Sequence, residues 1–224
     1  LLPGGSVAMG AGPVMASADF FDIEVKGKGG HGAYPHLSVD PITAASHILI
    51  GMQDLISREV PAQETAVMTI GEIKGGTKHN IIPETAIMRG SLRTFEERVR
   101  DQVVERLGSF ASRIAQAYRA EARMTLVGGG CPAVVNLAAE TDFVRGCAEE
   151  ELGAEHIHAV PPVMGSDDMS LFLQERPGCY FWVGIAPDNK EAMPHHHPGF
   201  EMNEAGLPVG LRMGLVTMLK SLAG

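Results

Sequence analysis

Near the start of the chain, Phe21, Ile23 and Val25 alternate with Asp22, Glu24 and Lys26. A period of two marks a strand with one buried face. Further on, Ile42, Ala45, Leu49, Met52 and Ile56 recur at three- and four-residue steps behind Asp40-Pro41. An acidic N-cap followed by proline starts a helix well, so the spacing predicts a helix over 41–58. Two more strands are expected, over 66–73 and 84–93. Thr94 with Glu97 then forms a capping-box pattern ahead of a helix carrying Val99, Val103, Leu107, Phe110, Ile114 and Ala117. A fourth strand is expected over 121–127. The order strand, helix, strand, strand, helix, strand predicts a ferredoxin-like α+β sandwich over 18–128.

The Gly/Pro-rich run 128–136 reads as a boundary, and the pattern changes beyond it. A helix is expected near 139–152 and a helical turn near 168–174. The run Cys179–Ile185 is apolar throughout and predicts a strand buried on both faces, as in a sheet covered by helices. A last helix should follow, with Leu207, Leu211, Leu215, Met218 and Leu222 in step. The tail therefore reads as part of an α/β domain.

Composition narrows the function classes. The 224 residues are 45% hydrophobic and 20% charged, which suits a folded chain with a real core. A formal net charge of −9 argues against nucleic acid or an anionic membrane surface as a partner. No apolar run approaches the roughly 18 residues of a spanning helix, and no signal peptide is evident. Three widely spaced cysteines, Cys131, Cys147 and Cys179, suggest reduced thiols and a cytoplasmic protein. The opening residues read as the middle of a domain, so a fragment is the expectation.

Few residues offer chemistry. His31 closes the glycine-rich run GKGGH at 27–31. Glycine permits sharp turns and close approach, so this histidine is offered to something. Asn80 and Arg93 stand near ends of the third strand. An imidazole, an amide and a guanidinium grouped together would suit a substrate with a carbonyl and a carboxylate. Each also has a plain reading, as a loop residue, a turn amide and a surface cation. His195, His196 and His197 sit in a loop after an expected strand, where α/β sheets tend to bind ligands. Imidazole is a common metal ligand, but no HExxH pair accompanies them. Glycines 128–130 lack the Lys-Ser/Thr of a phosphate loop.

Four ordered stretches then make a pattern: GPVMASADFFDIEVKGKGGHGAYPH, GGTKHNIIPETAIMRGSLRTF, MGSDDMS and HHHPGFEMNE. Together they resemble the M20 metallopeptidase family, closest to its amidohydrolases of hippurate, N-acyl-amino-acid and auxin-conjugate type. The resemblance implies a zinc-peptidase-like α/β catalytic domain interrupted by a lid that dimerises. On it, residues 1–17 and 129–224 belong to the catalytic domain and 18–128 to the lid. His31 matches the lid histidine that reaches the partner subunit's site and polarises the scissile carbonyl. Asn80 matches a lid asparagine near that site, and Arg93 the arginine expected to hold a substrate carboxylate. The HxPxF motif places a metal ligand at His196. Asp167 and Met169 stand where the branch usually has Glu and Phe.

The resemblance further implies two divalent metals, zinc or manganese, a homodimer, and an N-acyl amino acid or short peptide as substrate. The family's earlier metal ligands and its Glu-Glu pair have no match in these residues. This stretch alone should therefore bind little metal and be inactive. Two alternatives stay open: a non-catalytic dimerisation module, and a dipeptidase or deacetylase of the same family.

Overall fold

The structure, a computed structural model, describes residues 2–188 and 191–223. In chain order its elements are β1 (Val7–Ala8), β2 (Gly12–Met15), β3 (Ala18–Lys26), β4 (Gly30–His31), α1 (Pro41–Asp54), β5 (Ala66–Gly75), β6 (Ile81–Ile82), β7 (Thr85–Thr94), α2 (Glu97–Ala117), β8 (Glu121–Cys131), β9 (Val134–Asn136), α3 (Ala138–Leu152), β10 (Ile157–His158), α4 (Met169–Glu175), β11 (Trp182–Val183) and α5 (Gly206–Ala223). They divide into two compact units. One comprises Met15–Ala133 with Met164–Asp167, the other Leu1–Val14, Val134–Val163 and Asp168–Gly224.

The first unit is the expected sandwich. Its sheet has the order β5-β7-β3-β8, and every neighbouring pair is antiparallel. Phe21, Ile23 and Val25 of β3 are buried against Ala44, Ile48 and Met52 of α1 and Val103 and Leu107 of α2. Each of the larger side chains stabilises the unit by about 1.5–3 kcal/mol. Asp40 caps α1 as its position suggests, accepting from the Ile42 N–H at 2.9 Å and the Thr43 hydroxyl at 2.8 Å. The helix proper ends at Asp54, and Leu55–Glu59 continue it as a wider π turn. An irregularity in β5 between Ile70 and Glu72 shifts the register by one residue. It brings Glu72 opposite Arg89 on the uncovered face, where Arg89 also meets Asp22.

Two local expectations in this unit need correction. Thr94 does not cap α2. Its buried hydroxyl lies 3.1 Å from the Ser17 hydroxyl and donates to the Glu96 carbonyl at 3.3 Å, and Thr94 itself ends β7, two residues ahead of the cap position. Glu96 is the N-cap and makes no side-chain cap bond. The glycines at 128–130 are not outside the sheet, because β8 runs through them to Cys131. A Cβ on Gly130 would lie 2.3 Å from the Ala18 carbonyl, so glycine is what lets the strands pair there.

The second unit is a small sheet in the order β10-β1-β11, with α3 and α5 packed together. Here the buried strand is β1, not the 179–185 run. Val7, Ala8 and Met9 are fully buried, whereas only Trp182–Val183 of the apolar run pair as strand, antiparallel to β1. Asn136 explains why. Its buried side chain accepts from the Tyr180 N–H at 2.7 Å and donates to the Tyr180 and Gly10 carbonyls, both at 2.8 Å. Those bonds occupy backbone groups that a longer ladder would use. Helix α5 forms as expected, but its stripe faces outward. Leu211 is 65% exposed and Leu222 79%, while Met213 on another face is buried. All three cysteines are free thiols. Among the described residues, no helix is long and apolar enough to cross a membrane.

One ion pair ties the π turn to α2. Arg106 Nε and Nη2 meet the Glu59 carboxylate at 2.6 and 2.7 Å. Hydrogen bonding from Arg106 holds the Glu59 carboxyl below its ordinary value of 4.5. A depressed carboxyl stabilises the fold above the unfolded value, and that contribution is lost as the pH falls through the folded value. Both side chains are about a third exposed, so the effect is small. Glu59→Gln should therefore lose less Tm than the unmodified chain on acidification below pH 4.5. Equal losses would show that the pair contributes nothing.

Candidate active site

The loop bearing His31 is held by close backbone contacts. Gly27 donates to the Glu84 carbonyl at 2.8 Å, and Lys28 and Val39 exchange two bonds of 2.8 and 3.0 Å. Strand β4 then pairs with β6, His31 opposite Ile81, and Gly32 donates to the Asn80 carbonyl at 2.9 Å. The glycines serve this packing. A Cβ would lie 2.2 Å from the Val39 carbonyl at Gly27 and 2.1 Å from the Ser38 hydroxyl at Gly30. Neither glycine has a positive φ. The loop is thus a pinned hairpin, and its glycines are explained by contacts inside this unit. Gly27→Ala should cost about 1–3 kcal/mol, because backbone must move to admit the methyl. Gly71→Ala, with nothing within 4 Å of the added carbon, is the control. Equal thermal melts for the two would overturn this account.

His31 and Asn80 are therefore neighbours, and both are exposed. The Asn80 side-chain amide has no hydrogen-bond partner among the described residues. His31 opens a tight turn in which Tyr34 donates to the His31 carbonyl at 2.9 Å. The Ala33 N–H donates to His31 Nδ1 at 3.0 Å, and the Tyr34 ring lies 5.5 Å from the imidazole.

Arg93 is not part of that group. Chain topology suggests all three residues near strand ends, but the ends differ. Gly27 meets Glu84, which puts the His31 loop beyond the Thr85 end of β7, whereas Arg93 stands at the other end. Eight positions at about 3.3 Å each separate Thr85 from Arg93, roughly 26 Å. Half-buried there, Arg93 Nη1 donates to the Met164 carbonyl at 3.1 Å and the Ser166 hydroxyl at 3.2 Å. The Ala16 N–H donates to the Gly165 carbonyl at 2.9 Å. The MGSDD motif thus supplies a bracket for Arg93. Ser166 stands in plain view in that motif, but nothing in the sequence pairs it with an arginine 73 positions away.

In the other unit the three histidines differ. His195 stands edge-on to the Phe200 ring at 5.2 Å. His197 Nδ1 accepts from the Gly199 N–H at 3.0 Å. His196 is exposed, sits at a φ of 68°, and has no hydrogen-bond partner among the described residues. Positive φ is uncommon for a residue with a side chain. No group of three or more His, Cys, Asp or Glu among the described residues could hold a metal ion. A depression on the uncovered sheet face, lined by Phe20, Thr69, Arg89 and Ser91, includes none of the predicted site residues.

Comparison with known proteins gives this geometry a context. The family model described as the M20 peptidase dimerisation domain matches residues 17–119. The chain is 35% identical over 210 residues to the N-acetylcysteine deacetylase of Bacillus subtilis, covering 93% of this chain and 53% of that protein. The chain belongs to the M20 peptidase family. Another relative is the IAA-amino acid hydrolase ILR1-like 4 of Arabidopsis thaliana, 33% identical over 210 residues, with 92% of this chain and 48% of that protein covered. Among solved M20 structures, the YXEP protein of Bacillus subtilis is described as a dinuclear metal binding peptidase. It matches with a TM-score of 0.77 at 30% identity, covering 97% of this chain and 54% of that one. The chain thus spans about half the length of the relatives it matches.

Proposed function

We propose that the whole protein is a metal-dependent amidohydrolase that cleaves the amide bond of N-acyl amino acids, hippurate-like compounds among them, and works as a homodimer through the sandwich unit. The observation that carries the reading is the separation of His31 and Asn80 from Arg93. Roughly 26 Å of strand is too far for one small substrate. A symmetric pair resolves the difficulty, since each copy can offer its His31 end to the other's Arg93 end.

Hydrolysis adds water across the C–N bond and leaves a carboxylic acid and an amine. Negative charge gathers on the carbonyl oxygen as water attacks. In this reading His31, with Asn80 beside it, donates to that oxygen. Arg93 has a guanidinium fork suited to a carboxylate, with one nitrogen anchored on Met164 and Ser166 and the others making no hydrogen bond among the described residues. His196 is the imidazole this chain offers to one of two divalent metals, zinc or manganese. The other ligands of the metal centre are not among the described residues, so no step is derived through it.

A substrate panel of N-acyl amino acids, run on the whole protein with and without chelator, tests the reading. Turnover that survives exhaustive chelation, or that favours acyl amines without a carboxylate, would overturn it. The panel also separates a dipeptidase or deacetylase from a hippurate-type enzyme. The 224 residues by themselves are expected to be inactive in this reading, because the family's earlier metal ligands and Glu-Glu pair have no match among them. Metal analysis of this stretch should find well under one zinc or manganese per chain, and stoichiometric binding would refute that part.

A further inference from the structure

We propose that Ala33 is a positioning residue. Its backbone N–H, donating to His31 Nδ1, holds the neutral imidazole in the tautomer whose Nε2 carries the proton.

The direction of this contact follows from its chemistry. A backbone amide can only donate, so at 3.0 Å the Nδ1 atom must bear a lone pair. The neutral ring then has its one proton on Nε2, the nitrogen on the far side of the ring from the contact. The turn closes the arrangement: the Tyr34 N–H reaches the His31 carbonyl at 2.9 Å, so residues 31–34 are tied twice, once through backbone and once through the ring. Tyr34 flanks the imidazole at 5.5 Å and in turn meets His36 edge-on at 6.4 Å. Gly32, between the two ties, is fixed by its own bond to Asn80.

The chemical consequence is selective. A neutral His31 in this turn can give a hydrogen bond from Nε2. It cannot accept a proton there, nor bind a metal there, unless the Ala33 contact breaks. His31 is thereby set as a donor to a carbonyl oxygen rather than as a base. This importance for catalysis rests on the function proposed above, but the tautomer itself does not.

The test is a two-bond proton–nitrogen correlation spectrum of the histidine-labelled 224-residue chain. It is recorded about two pH units above the ordinary imidazole value of about 6.5. The His31 signal is assigned by its loss in His31→Gln. Free imidazole side chains populate both tautomers, so the urea-unfolded chain supplies the reference mixture. The folded chain should show His31 with Nδ1 unprotonated and a single Nε2–H form, beyond the unfolded mixture. Ala33→Ser, which keeps the amide, should look the same. Ala33→Pro, which removes it, should return the mixture towards the unfolded one. A His31 spectrum with Nδ1–H, or one equal to the unfolded mixture, would overturn the inference. The spectrum does not depend on hydrolysis, so its outcome stands apart from that of the substrate panel. The wild-type and Ala33→Ser spectra decide the matter even if Ala33→Pro fails to fold.

Discussion

Replacing His31 with Ala in the whole protein is expected to lower kcat roughly 10²–10³-fold, the usual cost of one lost oxyanion donor. KM should change little, because charge on the carbonyl oxygen develops only as water attacks. Folding should survive, since the imidazole is exposed and the loop is held by backbone bonds at Gly27, Lys28 and Gly32. His31→Asn is a useful companion. Its shorter side chain can take the same Ala33 amide in a local turn, yet withdraws the distal donor. It should be nearly as impaired as the alanine variant. Unchanged turnover in both would remove His31 from the chemistry, and with it the reason for a second subunit.

The second large effect concerns that subunit. Arg93→Ala should chiefly raise KM for carboxylate-bearing substrates. A charge-assisted bond of about 1.5–3 kcal/mol corresponds to roughly 10–150-fold in affinity. An esterified analogue should be much less affected. Assayed well below KM, His31→Ala and Arg93→Ala should each be nearly silent. Mixed and allowed to exchange subunits, they should regain about a quarter of normal activity in a two-fold dimer. Half the dimers are then mixed, and each mixed dimer has one site with both residues intact. If one chain supplied both residues to a site, mixing would restore nothing. The roughly 26 Å of strand between the two ends makes recovery the expected result.

Much of the sandwich is legible in the sequence. Alternation in β3, the three- and four-residue steps in α1 and α2, and the Asp40-Pro41 start are local signals that the tertiary structure had no cause to override. The failures have particular causes. Thr94 and Glu97 match a cap motif, but Thr94 ends β7 with its hydroxyl beside that of Ser17, 77 positions away. The run 179–185 is apolar enough for a long strand, but Asn136 takes the backbone bonds of Tyr180. Helix α5 has the right period, yet periodicity does not say which face is covered. In each case a distant partner decides the outcome, and one-dimensional spacing carries no trace of it.

The site divides the same way. Residue types in motif order were enough to single out His31, Asn80, Arg93 and His196 as candidates and to point to the family. Strand order alone also specified a split βαβ sandwich, because hydrophobic period and turn residues are properties of neighbours in sequence. Only the tertiary structure put His31 beside Asn80, set Arg93 at the opposite end on Met164 and Ser166, and gave Ala33 its hold on the ring. Such placements depend on which strands pair and in what register. Backbone hydrogen bonding between distant segments fixes that, and no stretch of sequence expresses it by itself.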